Sequence, residues 1–160
     1  MRNRLLPLLF FALATIATGE TPEKQTVVFV CEHGSAKSVI AAAHFNRIAE
    51  SQGLPYHAVS RGVYPDAEVP EKIKSGLLAD GFPGDPLKPK LVADKEIGNA
   101  ARVITLGCEL PKTAQQAGRK ITDWSNLPAV SSGYADARKA IVERVERLVK
   151  ELSDKQSPVK

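Results

Sequence analysis

The chain has no internal repeat and no low-complexity tract, which excludes solenoids and fibrous arrays. It also has little charge bias: 22 Lys and Arg stand against 18 Asp and Glu, a formal +4 that includes Arg2 and Arg4. Such a balance is too weak to recruit nucleic acid or an anionic membrane surface, so any preference for anions has to be local. The three histidines, His33, His44 and His57, and the two cysteines, Cys31 and Cys108, are dispersed without the spacing of a metal site. One long uncharged apolar run occurs, close to the N-terminus, and no second one follows it.

That run, Leu5 to Ala17, follows the basic start Met-Arg-Asn-Arg and carries a single Pro. A basic segment followed by a short apolar one is the pattern of a signal peptide, too short to span a bilayer comfortably. Ala17 and Gly19 have the spacing of a cleavage site, so residues 1–19 are expected to be the export segment and the mature chain to begin near Glu20. The expected location is therefore periplasmic or secreted, with no stable membrane insertion after cleavage. Residues 20–160 suit one domain with its own core. In an exported protein, two cysteines ordinarily read as one structural disulfide.

Thr26 to Cys31 is a near-continuous β-branched apolar run, the pattern of a parallel strand buried on both faces. It ends in Glu-His-Gly-Ser, and from Ser38 the apolar residues Ala41, Phe45 and Ile48 recur at helical spacing up to Gly53. Tyr56 to Val59 predicts a second strand and Val69 to Ala79 a second helix; Gly81 to Pro89 reads as loop. Asp94 to Ala100 predicts a short helix, Ala101 to Gly107 a buried strand ending at Cys108, and Lys120 to Trp124 a last short strand. Ala137, Ile141, Val145, Leu148 and Leu152 form the apolar stripe of a C-terminal helix. Alternating strands and helices predict an α/β fold of three layers: a four-stranded parallel sheet with helices on both faces. Ligands of such sheets sit beyond the carboxyl ends of the strands, and both cysteines lie at such ends.

Cys31 to Ser38 reads Cys-Glu-His-Gly-Ser-Ala-Lys-Ser in the strand-to-helix turn. Binding and attacking a phosphate-like anion needs inward-facing backbone N–H groups, a helix N-terminus and a nucleophile beneath them. With Gly34 free to take a positive φ, the amides of Glu32, His33, Gly34, Ser35, Ala36, Lys37 and Ser38 can form that ring. Cys31 then sits where amides and the helix start favour a thiolate, and Ser38 can donate to it and also cap the helix. His33 either touches a bound anion, tunes the thiolate, or is a solvent-exposed loop histidine. His44 and His57 read as structural. Trp124 reads as core or as the lining of the site's mouth, and Lys88, Lys90, Arg119 and Lys120 as solvated charge.

Cys, five residues, a cation and Ser directly after the first strand resembles the low-molecular-weight protein tyrosine phosphatase and thioredoxin-linked arsenate reductase superfamily. Ser35 to Ser38, the pair Phe45 and Asn46, Lys88 to Lys90 and Val103 to Cys108 are similar to arsenate-reductase-like members in the same order. The resemblance implies that Cys31 is the nucleophile and forms a thiophosphate intermediate on phosphotyrosine-type monoesters. It implies that Lys37 offsets the anion's charge, that Ser38 supports the sulfur, and that the site takes a phosphate-like oxyanion or phosphorylated substrate without metal or organic cofactor.

Two departures bear on that activity. Lys37 stands where the family has Arg, keeping the charge but losing the planar fork that grips two oxygens. The family's Asp-Pro acid is missing from Asp123-Trp124-Ser125-Asn126-Leu127-Pro128, where Asp123 is the nearest carboxylate able to act as the acid. Arsenate reduction is the alternative the resemblance implies, with Cys108 as the second, redox-active cysteine and a thiol reductant as partner. Pro111, Lys112 and Thr113 leave no third cysteine for a relay. Cys108 reads equally as a small buried hydrophobe or as a permanent disulfide partner. A non-catalytic oxyanion-binding domain and a thiol–disulfide sensor complete the readings that the residues leave open.

Overall fold

The computed structural model describes residues 23–84, 86, 88–117 and 121–156. The expected export segment, Arg119 and Lys120 lie outside these residues. The elements follow the chain as β1 (Gln25–Cys31), α1 (Lys37–Ser51), β2 (Tyr56–Gly62), α2 (Glu71–Ala79), α3 (Asp94–Asn99), β3 (Arg102–Thr105), α4 (Lys112–Ala117), β4 (Ile121–Asp123) and α5 (Tyr134–Asp154). The four strands form one parallel sheet in the order β2-β1-β3-β4.

β1 lies between two neighbours, which explains its unbroken apolar sequence. Val27, Phe29 and Cys31 face a layer built from α1, α2 and α5, while Val28 and Val30 face Ile97 of α3 and Ala114 of α4. This is the three-layer α/β arrangement expected from the sequence. The α5 stripe Ala137, Ile141, Val145, Leu148 and Leu152 is buried against the first layer. Trp124 lies in that core, its ring centroid 5.8 Å from that of Phe29.

Two details fix where α1 starts and stops. Its first residue is Lys37, with Ala36 at the N-cap and no side-chain cap, so Ser38 does not cap the helix as expected. The end is closed by a Schellman motif: Leu54 N–H donates to Ala49 O and Gly53 N–H to Glu50 O, with Gly53 at φ 63°. Asn46, in the third turn, ties α1 to the outer edge of β2 by donating to Ala58 O at 3.0 Å and accepting from Ala58 N–H at 2.6 Å. β2 runs on to Gly62, three residues past the expected end, and α4 was not legible in the sequence.

Behind the sheet, His44 of α1 meets Asp80, which follows α2, and Tyr134 and Arg138 of α5. Tyr134 Oη donates to Asp80 Oδ2 at 2.7 Å, Arg138 Nε donates to the same oxygen at 3.1 Å, and His44 Nε2 lies 3.4 Å from it. Burial outweighs the nearby carboxylate and lowers the pKa of His44, while the donors from Tyr134 and Arg138 overcome burial and lower that of Asp80.

An unfolded chain therefore binds a proton at this histidine more readily than the folded one does, so His44 makes stability fall as pH drops below the ordinary histidine value. Asp80 acts in the same direction only at more acid pH, as its own folded value is crossed. We expect the urea midpoint to fall between pH 7 and 5, and His44→Gln to flatten that dependence; a parallel slope in wild type and variant would contradict this.

Candidate functional site

Cys31 ends β1 and is 5% exposed. Its Sγ lies 3.1 Å from Oγ of Ser38, a fully buried residue of α1's first turn. Strand end and helix start are thus joined by one sulfur–hydroxyl contact across the loop between them. The sulfur borders a cavity of about 280 Å³. Glu32, His33, Ser35, Ala36 and Lys37 form one wall of it, Leu106 and Gly107 beyond β3 a second, and Ala129, Val130 and Ser131 a third.

The loop's peptide planes are set from outside by the segment after β2. Cys31 O accepts from Val63 N–H at 3.2 Å, Glu32 O from Tyr64 N–H at 2.8 Å and His33 O from Asp66 N–H at 3.1 Å. Because each peptide is planar and trans, the following N–H points opposite to its carbonyl. The amides of Glu32, His33 and Gly34 are therefore turned away from that segment. None of the amides from Glu32 to Ala36 donates to a backbone carbonyl among the described residues. Together with the first turn of α1, they leave unpaired donors at the positive end of a helix.

Such a bend needs close packing. Gly34 has φ 62°, and a Cβ there would stand 2.7 Å from the backbone nitrogen of Gly62; a Cβ on Gly62 would stand 2.7 Å from that of Gly34. Two strand ends thus approach backbone to backbone, which only glycine permits. Ser35, 2% exposed, donates its hydroxyl to Asp66 Oδ2 at 2.5 Å. His33 is half exposed, its Nδ1 3.3 Å from Tyr64 O and 3.6 Å from Asp66 Oδ1. Lys37 reaches across the cavity toward Gly107, where an added Cβ would be 3.4 Å from its Nζ.

Cys108 and Asp123 lie elsewhere. Cys108 packs with the layer opposite that of Cys31, and its thiol donates to Val30 O at 3.4 Å. Both thiols are free. Burial, and then the nearby Cys31, push the Cys108 thiol up to about 11. It borders a second hollow of about 980 Å³ with Asp123, and Gly107 is common to both walls.

Asp123, expected as the nearest acid, does not line the Cys31 cavity. Ser125 and Thr105, the latter donating at 2.9 Å, hold its carboxyl below the usual range. Hydrogen bonds that favour the anion work against a role as proton donor. The segment that does face the cavity, Ala129 to Ser131, carries no carboxyl group.

Sequence reasoning missed Gly62, Asp66 and Gly107 as parts of this site. Gly107 directly precedes Cys108, two residues beyond β3, and could have been found from its place just past a strand end. Asp66 was hidden because β2 was read as ending at Val59.

A parallel sheet with a cysteine loop running from its second position in the order into a helix defines the phosphatase-like class of α/β domains. Residues 26–157 match the model of the low molecular weight phosphotyrosine protein phosphatase family, and the chain belongs to that family. Arsenate reductase from Archaeoglobus fulgidus is 29% identical, covering 78% of this chain and 98% of that one, with a TM-score of 0.63. A low molecular weight protein tyrosine phosphatase from T. tengcongensis is 16% identical over 80% and 99% of the two chains, TM-score 0.65. The YwlE arginine phosphatase, a protein also solved from Bacillus subtilis, was solved as a cysteine-to-serine mutant with that active-site serine phosphorylated; it is 20% identical over 84% and 98%, TM-score 0.71. No curated protein sequence matches the chain.

Gly62→Ala drives a methyl group into the backbone of His33 and Gly34 and is expected to lower the unfolding free energy by about 1–3 kcal/mol. Urea denaturation checks this; an unchanged midpoint would show that the two strand ends are not in fixed contact.

Proposed function

We propose that the protein is an exported cysteine-dependent phosphatase acting on phosphomonoesters of the phosphotyrosine type. The observation that carries the reading is the placement of Cys31 Sγ at the foot of α1, 3.1 Å from Ser38 Oγ and beside the unpaired loop amides. In this reading the Cys31 thiolate attacks phosphorus, the ester oxygen leaves with the bonding electrons, and water then hydrolyses the thiophosphate. The amides of Glu32 to Ser38 hold the equatorial oxygens, Lys37 supplies a point charge, and Ser38 donates to the sulfur as it leaves.

Without a carboxyl group on the segment over the cavity, the reaction favours leaving groups that need no proton, such as phenolates. Turnover is expected to be slow, since Lys37 cannot grip two oxygens as Arg does. Export is proposed on the basic start and the Leu5–Ala17 run, with residues 20–160 as the mature domain.

Arsenate reduction is the second reading, favoured by the Cys108 thiol hydrogen-bonded to the carbonyl of Val30, the residue before Cys31. There Cys108 displaces arsenite from a Cys31–arsenic adduct: the two thiols are oxidised to a disulfide and arsenic(V) is reduced to arsenic(III). An external dithiol or two thiols then reduce the disulfide. At neutral pH Cys108 is almost wholly protonated, which slows this step and places it second.

Reduced protein is expected to release phosphate from an aryl phosphate, to lose that activity in Cys31→Ser and keep it in Cys108→Ser, and to gain about tenfold in kcat/KM in Lys37→Arg. Arsenate-dependent thiol oxidation that requires both cysteines, without phosphate release, would transfer the assignment to the second reading. Absence of both would leave an oxyanion-binding domain.

A further inference from the structure

We infer that Asp66 is a positioning residue that holds the loop from Cys31 to Ser38 in its cupped shape before any anion arrives. This inference deepens the proposed function, since the loop is the same one.

Asp66 engages the loop on both sides of Gly34, the point at which its backbone turns through a positive φ. Its N–H donates to His33 O at 3.1 Å, and its Oδ2 accepts from Ser35 Oγ at 2.5 Å. Its other oxygen lies 3.6 Å from His33 Nδ1. Ser35 is 2% exposed, so without Asp66 its hydroxyl would be a buried donor with no water to replace the partner. Val63 and Tyr64 fasten Cys31 and Glu32 through their backbones, and the same chain segment delivers Asp66 two residues later. Hence a single stretch after β2 fixes the first half of the loop through main-chain bonds and the turn at Gly34 through a side chain.

A carboxylate beside an anion site repels the anion, so Asp66 has no place as a substrate ligand. Its value is as an acceptor outside the cavity lining that takes up the buried hydroxyl of Ser35. The charge itself is then dispensable and the acceptor oxygen is not. Asp66→Asn keeps a side-chain oxygen for Ser35, whereas Asp66→Ala removes it.

The test is native-state hydrogen exchange of the amides of residues 63, 64 and 66, which donate to the loop carbonyls, with inorganic phosphate affinity measured alongside. In Asp66→Ala, exchange at these three amides is expected to rise about tenfold or more while β1 amides from Val27 to Val30 stay protected. Phosphate affinity falls with it. Asp66→Asn is expected to restore both, and Ser35→Ala combined with Asp66→Ala to add nothing further. Exchange of these amides in Asp66→Ala equal to wild type would overturn the inference, as would an Asp66→Asn variant as loose as Asp66→Ala. Wild-type protein that binds no phosphate would instead sink the proposed function, while the exchange rates still decide the role of Asp66.

Discussion

The backbone contact between Gly34 and Gly62 is the constraint on which the rest of the site depends. It lets the segment after β2 run close enough to bond the carbonyls of Cys31, Glu32 and His33. Once those carbonyls are committed outward, peptide planarity fixes the direction of the amides that follow. The cup is therefore formed by the neighbouring strand end and requires no ligand to organise it. Ser38 completes the arrangement from the helix side, its buried hydroxyl meeting the sulfur.

The sheet also explains why the two cysteines are unequal. β1 alternates its residues between two layers, so Cys31 falls with α1 and α5, while the chain beyond β3 turns through the positive φ of Gly107 and sets Cys108 with α3 and α4. Gly107 lies between them and forms part of both hollows. Cys31 meets a hydroxyl and unpaired amides. Cys108 meets a carbonyl, a contact that a thiol can donate to and a thiolate cannot accept from. The carboxyl edge of the sheet thus gives its two cysteines different surroundings, hydroxyl and amides for one and a carbonyl for the other. That difference is the physical reason for placing hydrolysis ahead of a two-cysteine redox cycle.

Much of this was legible in the chain because burial on both faces demands an unmistakable sequence. Thr26 to Cys31 and Val103 to Leu106 are continuous apolar runs, and the α5 stripe keeps helical spacing to Leu152. The loop was legible for a different reason: cysteine, glycine and a cation between such a strand and a helix are rarely needed for packing. The six-residue α4 buries too little to leave a pattern, whereas β4, although exposed, falls within the expected strand Lys120 to Trp124. Asp66 could not be found because its importance comes from contacts between the segment after β2 and the loop after β1, which sequence order does not display. Asp123 stood out as the carboxylate nearest the missing Asp-Pro, and Thr105 and Ser125 hold it on the Cys108 side.

The most direct test of the central claim is whether inorganic phosphate shields Cys31 from a small alkylating agent. With the reduced protein, alkylation of Cys31 by iodoacetamide is followed by peptide mass analysis as phosphate is raised at constant ionic strength, with chloride as the balancing salt. The account predicts saturable protection of Cys31, with Cys108 unaffected by phosphate. Alkylation of Cys31 at the same rate at every phosphate concentration would contradict it, because a preformed cup of amides over that sulfur would then bind no oxyanion.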